Sequence, residues 1–90
     1  MTPREKTDDQ IKAEILDKLM RRGRWGGNYL PVDTLVNWLG KGVKGNGSRV
    51  RNMIVELHRR GYLLTHKRGK AISLRSDRQQ DIYQFLEKNL

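Results

Sequence analysis

The first third of the chain spaces its apolar residues as an amphipathic helix does. Ile11, Ile15 and Leu19 recur at every fourth position, and Leu16 and Met20 lie beside them. On a helix these positions form one apolar stripe, with polar side chains on the opposite face. The pattern therefore predicts a first helix that packs against a core.

Signals at both ends mark the limits of this helix. Thr7, with Gln10 three residues later, has the spacing of a capping box. Arg21 and Arg22 bring positive charge to the other end, where the helix dipole favours it, and Gly23 can end the helix. The predicted helix therefore lies between Thr7 and Gly23.

Two further helices are predicted in the middle of the chain. The first is short, capped by Asp33 and ended by Gly40. Its predicted inner face consists of Leu35, Trp38 and Leu39. The second begins at Asn46 or Ser48, either of which can cap it, and stops at Gly61. Its predicted core face consists of Val50, Met53, Ile54 and Leu57.

Three short segments favour β-structure. Residues 29–32 form an extended patch whose proline keeps it at a sheet edge. Residues 62–65 and 71–74 are apolar runs, and the loop 66–70 between them contains a glycine where a hairpin needs positive φ. We therefore expect a β-hairpin after the third helix.

The last segment predicts a fourth helix, and Ser76 with Gln79 predicts a second capping box. The apolar face of this helix consists of Ile82, Phe85, Leu86 and Leu90. This face can pack on the first helix and complete the core of one protomer, or it can pair with its copy in a homodimer. We favour the dimer and assign the four residues to dimerisation.

Positive charge is concentrated in one part of the chain. The 90 residues carry a net charge of +9, and residues 41–70 hold nine Lys or Arg against one acidic side chain. The segments on either side are close to neutral. A basic surface attracts polyanions such as nucleic acid, and this concentration indicates a binding face rather than general solubility.

Several function classes are disfavoured by the sequence. The chain has no apolar run long enough to cross a bilayer, its first ten residues do not look like a signal peptide, and it has no cysteine. His58 and His66 are too far apart to suggest a metal site, and no catalytic constellation is evident. We expect a cytoplasmic, nucleoid-associated protein that is not an enzyme, needs no cofactor or metal, and does not bind membranes.

Residues 33–74 resemble the winged helix-turn-helix family. The resemblance is carried by the run SRVRNMIVELHRRGYL at 48–63, in which an amphipathic helix continues into a strand. It implies a mainly α fold with a small β-hairpin: a three-helix core, a short strand and a wing. The expected division is a flexible arm over 1–6, the winged helix domain over 7–75 and a C-terminal helix over 76–90.

The expected site follows from this arrangement. The beginning of a helix that enters the major groove meets base edges, where Arg can pair with guanine and Asn with adenine. The basic hairpin loop would act as the wing, and the glycine-rich turn before the third helix, longer than is usual in the family, would either touch phosphate or be a plain linker. The predicted nucleic-acid-binding residues are Lys41, Lys44, Asn46, Ser48, Arg49, Arg51, Asn52, Lys67, Arg68 and Lys70.

Three functions remain open from the sequence. The leading one is sequence-specific binding of double-stranded DNA in transcriptional regulation. The second is an RNA-binding or ribosome-associated module, since the fold and the charge do not separate A-form from B-form helices. The third is a protein-interaction domain for an acidic partner, in which the arginines of the third helix would be an ordinary solvated face.

Overall fold

A computed structural model describes residues 7–40 and 46–89 of the chain. Within these ranges the elements are α1 (Asp8–Arg21), β1 (Leu30–Pro31), α2 (Val32–Gly40), α3 (Asn46–Arg59), β2 (Leu63–His66), β3 (Ala71–Leu74), a 3-10 turn (Ser76–Arg78) and α4 (Gln79–Asn89). The protein is thus mainly helical with a small antiparallel sheet, as the sequence predicts. In the described ranges, no helix is long and apolar enough to cross a membrane.

Helix α1 has the ends that its sequence predicts. The Thr7 side chain accepts a hydrogen bond from the Gln10 amide, and the Gln10 side chain accepts one from the Thr7 amide. At the other end Gly23 takes a left-handed φ of 67°, which a residue with a Cβ adopts at a cost. These two local signals fix where the helix begins and ends.

One apolar core joins all four helices to the sheet. Its fully buried members include Ile11, Ile15, Leu16, Leu19, Leu35, Val50, Leu57, Ile72, Leu74 and Ile82. The predicted inner face of α3 is confirmed, because all four of its apolar residues are buried. Each helix therefore turns one stripe inward and leaves the opposite face to solvent.

The predicted inner face of α2 is wrong at one position. Val32, Leu35, Val36 and Leu39 are buried, at the spacing of one helical stripe. Trp38 lies beside that stripe and is 39% exposed, with the Arg22 guanidinium 3.9 Å from its ring centroid. The tryptophan therefore packs under an arginine at the surface and does not belong to the core.

A glycine lets α2 and α3 pack closely. A Cβ built on Gly47 would lie 2.6 Å from Cγ1 of Val36, well inside contact distance. Gly47 is thus part of α3 and does not belong to the glycine-rich turn before it. A larger residue at this position would push α2 and α3 apart. Residues 41–45 of that turn lie outside the described residues.

The sheet places β3 between its two neighbours in the order β1-β3-β2. Leu30 is paired with Ile72 on one side of β3, and Leu63 with Leu74 on the other. Ser73, on the strand face away from the helices, is fully buried and donates a 2.6 Å hydrogen bond to the carbonyl of Gly26. The connection between α1 and β1 therefore covers the outer side of the central strand.

Helix α4 completes the core of the protomer, the first of the two uses open to it. Ile82 is fully buried, Leu86 is 7% exposed, and α4 packs on α1. A dimer contact through these two side chains would require the core to open, so their assignment to dimerisation is corrected. Phe85 is partly buried with its ring 6.1 Å from that of Tyr62, and Leu90 lies outside the described residues. A homodimer through other surfaces stays a prediction.

The start of α4 also differs from the sequence prediction. Ser76 opens a 3-10 turn instead of capping the helix, and the Gln79 side chain donates to the hydroxyl of Tyr83 at 2.7 Å. The turn is held by Arg75, which donates two hydrogen bonds to the carboxylate of Asp77. This bonding lowers the pKa of Asp77 and raises that of Arg75.

Candidate nucleic-acid interface

The outer face of α3 is the largest element of the candidate interface. The helix has 14 residues and is about 21 Å long at 1.5 Å per residue. The residues exposed along this face are Ser48, Arg51, Asn52, Val55, His58 and Arg59. Because the opposite stripe is buried, these side chains are available to a partner.

Arg51 projects from this face toward the beginning of α2. Its Nη2 lies 2.5 Å from Oδ1 of Asp33, and the two side chains are 52% and 81% exposed. An ion pair this exposed is screened by water and contributes at most about 1 kcal/mol. The Arg51 side chain is therefore oriented by Asp33 but can exchange it for another anion.

A cleft connects Arg51 with the loop between β2 and β3. Its lining consists of Val32, Asp33, Arg51, Arg68, Gly69 and Lys70, and its volume is about 390 Å³. Three cationic side chains and one carboxylate thus surround the same space. The cleft thus places Arg51 of α3 beside two cationic residues of the hairpin loop.

The β2–β3 loop, residues 67–70, has a tight and unusual backbone. Lys67 and Arg68 have φ values of 51° and 59°, followed by Gly69 at 85°. The amide of Gly69 donates to the carbonyl of His66 at 3.0 Å, which closes the turn. Left-handed backbone costs a residue with a Cβ about 1–2 kcal/mol. The loop therefore holds two cationic residues, rather than glycine alone, in a strained and exposed turn.

Tyr29 and His66 support the base of this loop. Their rings are stacked with centroids 4.7 Å apart, and Nζ of Lys67 lies 5.1 Å from the Tyr29 centroid. His66 Nε2 lies 2.9 Å from Oγ of Ser73, whose own hydroxyl donates to Gly26. Because the hydroxyl hydrogen of Ser73 is used in the bond to Gly26, Nε2 of His66 is the donor to Oγ of Ser73. Tyr29 is half-buried and braces the loop.

Arg49 faces a different direction from Arg51. Its Nε and Nη2 lie 3.2 and 2.8 Å from Oδ1 of Asp8 in the first turn of α1, and its side chain is 24% exposed. Side chains two positions apart on a helix differ in direction by about 200°. Arg49 and Arg51 therefore point to opposite sides of α3. Arg49 thus joins α3 to α1 and is not part of the cleft.

An ion pair between a buried lysine and a half-exposed glutamate lies next to this contact. Lys12 is 3% exposed, and its Nζ lies 2.6 Å from Oε2 of Glu56 and 3.7 Å from Oδ1 of Asp9. The pair joins α1 to the side of α3 that also carries Arg49. The sequence contains no local signal for it, because the partners come from different helices.

The remaining predicted site residues fall into two groups. Ser48 and Asn52 lie on the outer face of α3 with Arg51, as expected. Lys41 and Lys44 lie outside the described residues, as does the side chain of Asn46. Sequence reasoning missed Val55 and Arg59, which a helical projection places on the same face through their spacing of three and seven from Asn52.

Within residues 7–40 and 46–89, no group of three or more His, Cys, Asp or Glu side chains could hold a metal ion. The cleft brings Arg51, Arg68 and Lys70 to one exposed surface. Comparison of the chain with family models, with curated proteins and with solved structures found no match.

Proposed function

We propose that this chain is a winged helix-turn-helix domain that binds double-stranded DNA in a sequence-specific manner and acts in transcriptional regulation. The observation that carries the proposal is the cleft in which Arg51 of α3 meets Arg68 and Lys70 of the β2–β3 loop. It joins a helix that can read bases to a loop that can hold phosphates.

The arrangement of α2 and α3 supports the helix-turn-helix part of the proposal. The two helices pack closely at Gly47 and Val36, so that α3 presents its outer face as a ridge. An α-helix fits the major groove of B-DNA, where each base pair shows a distinct pattern of donors and acceptors. Arg51 suits guanine and Asn52 suits adenine at the first exposed turns of the ridge.

The β2–β3 loop supports the wing. Lys67, Arg68 and Lys70 are exposed at the tip of a hairpin whose base is braced by Tyr29. Charged groups of this kind bind the phosphate backbone in any sequence, or enter the minor groove. In the proposal the loop supplies affinity and position, and α3 supplies specificity.

The test uses a duplex selected by the full chain from a random DNA pool. Binding of selected and random duplexes is measured by fluorescence anisotropy, with wild-type protein and with Arg51→Ala. We expect Arg51→Ala to lose a factor of about 5–150 on the selected duplex, equivalent to about 1–3 kcal/mol, and much less on random DNA.

Arg21→Ala is the matched control. Arg21 is also an exposed arginine paired with an aspartate, Asp17 at 3.0 Å, but it lies on α1 outside the cleft. Arg21→Ala removes the same charge as Arg51→Ala, and it should leave the difference in affinity between selected and random duplexes unchanged. Equal affinity for selected and random duplexes would contradict the regulator. Tighter binding to structured RNA at the same salt would favour the RNA module, and a response that does not vary with salt would favour an acidic protein partner.

A further inference from the structure

Val55 is an apolar residue in the middle of the polar face of α3. It is 50% exposed, and Arg51 and Asn52 precede it by four and three residues on the same side of the helix. Arg59 follows four residues later, so charged or polar side chains lie on both sides of Val55 along the helix.

The other exposed large apolar side chains of the described ranges have structural uses. Trp38 lies under the Arg22 guanidinium, and Tyr83 accepts a hydrogen bond from Gln79 and packs edge-on against Trp25 at 6.5 Å. The side chain of Val55 ends in two methyl groups and can make apolar contacts only. A β-branched residue is also a weaker helix former than the Lys, Glu or Arg that usually occupies an exposed helical position.

The surroundings of Val55 identify what can cover it. The neighbours of Val55 on α3 and the cationic β2–β3 loop attract a polyanion. A partner protein that covered Val55 with an apolar patch would therefore need acidic groups on both sides of that patch. Duplex DNA brings such charge on both strands. In its major groove, the 5-methyl of thymine is an apolar group on an otherwise polar edge.

We propose that Val55 contacts the 5-methyl group of one thymine and is a specificity-determining residue of this surface. The inference rests on the proposed function, since it requires α3 to lie in the major groove. It predicts that one position of the bound sequence, beside the bases that Arg51 and Asn52 contact, is thymine. The contact also favours DNA over RNA, because uracil lacks this methyl group.

The test replaces each thymine of the selected duplex, one at a time, by deoxyuridine, which removes the 5-methyl group alone. Wild-type protein should lose about fourfold in affinity at one thymine, corresponding to about 0.8 kcal/mol for one buried carbon group. Val55→Ala, which keeps only the Cβ methyl group, should lose less affinity than the wild type when deoxyuridine replaces thymine at that position. The other thymines are the internal control, because any effect there should be the same in both proteins.

The variant is suited to this comparison. Alanine at an exposed helical position raises helix propensity, so Val55→Ala should fold as the wild type does. A selection repeated with Val55→Ala should show a weaker preference for thymine at one position and keep its other preferences.

The outcomes separate this inference from the proposed function. No preference of the wild-type chain for any duplex sequence would remove both. A selected site without thymine next to the other contacted bases, or a deoxyuridine effect that is equal in wild type and Val55→Ala, would overturn the role of Val55 alone and leave DNA recognition by α3 standing.

Discussion

Asp33 holds Arg51 in the free protein, with 2.5 Å between Oδ1 of the carboxylate and Nη2 of the guanidinium. The arginine that we propose for base contact is therefore already paired with a carboxylate in the free protein. Because both side chains are largely exposed, the pair is weak and a phosphate or a base edge can replace the carboxylate. Asp33 both orients Arg51 and competes for it.

Asp33→Asn should tighten binding to DNA of any sequence by about two- to fivefold, the effect of removing one weak competing charge. The amide keeps the size of the side chain and removes the charge that repels phosphate in the cleft. Titration of random and selected duplexes at fixed salt measures the change. Asp17→Asn, which frees Arg21 on α1, is the control and should have little effect. Weaker binding by Asp33→Asn would show that orientation of Arg51 matters more than competition.

Arg49→Ala should act mainly on stability. Arg49 connects α3 to Asp8 of α1, so its loss should lower the free energy of unfolding by about 0.5–1 kcal/mol. Its effect on specific DNA binding should be smaller than that of Arg51→Ala. Urea denaturation and anisotropy on the same preparations measure the two quantities. A loss of specific binding equal to that of Arg51→Ala, with unchanged unfolding, would add Arg49 to the surface that we propose to bind DNA.

Lys67→Ala, Arg68→Ala and Lys70→Ala should each weaken binding to all duplexes alike. A side chain that contacts one phosphate releases counterions, so its removal should reduce the slope of log affinity against log salt by about 0.9. The measurement is a salt titration of each variant on random DNA. Lys88→Ala, an exposed charge on α4, is the control and should leave the slope unchanged. Slopes equal to that of the wild type in all three loop variants would argue against the wing.

Gly47→Ala should destabilise the protein although alanine is the better helix former. The new Cβ would meet Cγ1 of Val36, a β-branched side chain with little rotational freedom, and overpacking of this kind costs about 1–3 kcal/mol. The free energy of unfolding measures the effect. Val36→Ala in the same chain should recover part of the loss, as a double-mutant cycle would show.

Gly27→Ala is the matched glycine control for this experiment. A Cβ on Gly27 meets nothing within 4 Å, so this substitution should be neutral or slightly stabilising. If Gly47→Ala were as well tolerated as Gly27→Ala, α2 and α3 would not be in close contact at Gly47.

Much of the local structure could be predicted from the sequence. The Thr7–Gln10 capping box, the inner face of α3 and the hairpin around Gly69 depend on signals within a few residues of each other. The site was predicted less completely, because Val55 and Arg59 were not assigned to it. Their positions follow from helical spacing once the buried stripe is known.

Other features of the fold depended on which helix or strand packs against the residue concerned. Trp38 is exposed because the core meets α2 along a stripe through Val36, and Ile82 is buried because α4 packs on α1. Ser76 does not cap α4, since the chain makes a 3-10 turn there first. Neither spacing nor composition could decide these cases.

Periodicity, end signals and charge are properties of short stretches, so the helices, the hairpin and the basic segment could be predicted before the fold was known. That Arg51 shares a cleft with the β2–β3 loop while Arg49 is tied to α1 depends on how the elements pack. The partners of these arginines are aspartates 18 and 41 positions away, and the packing of the helices brings each pair together.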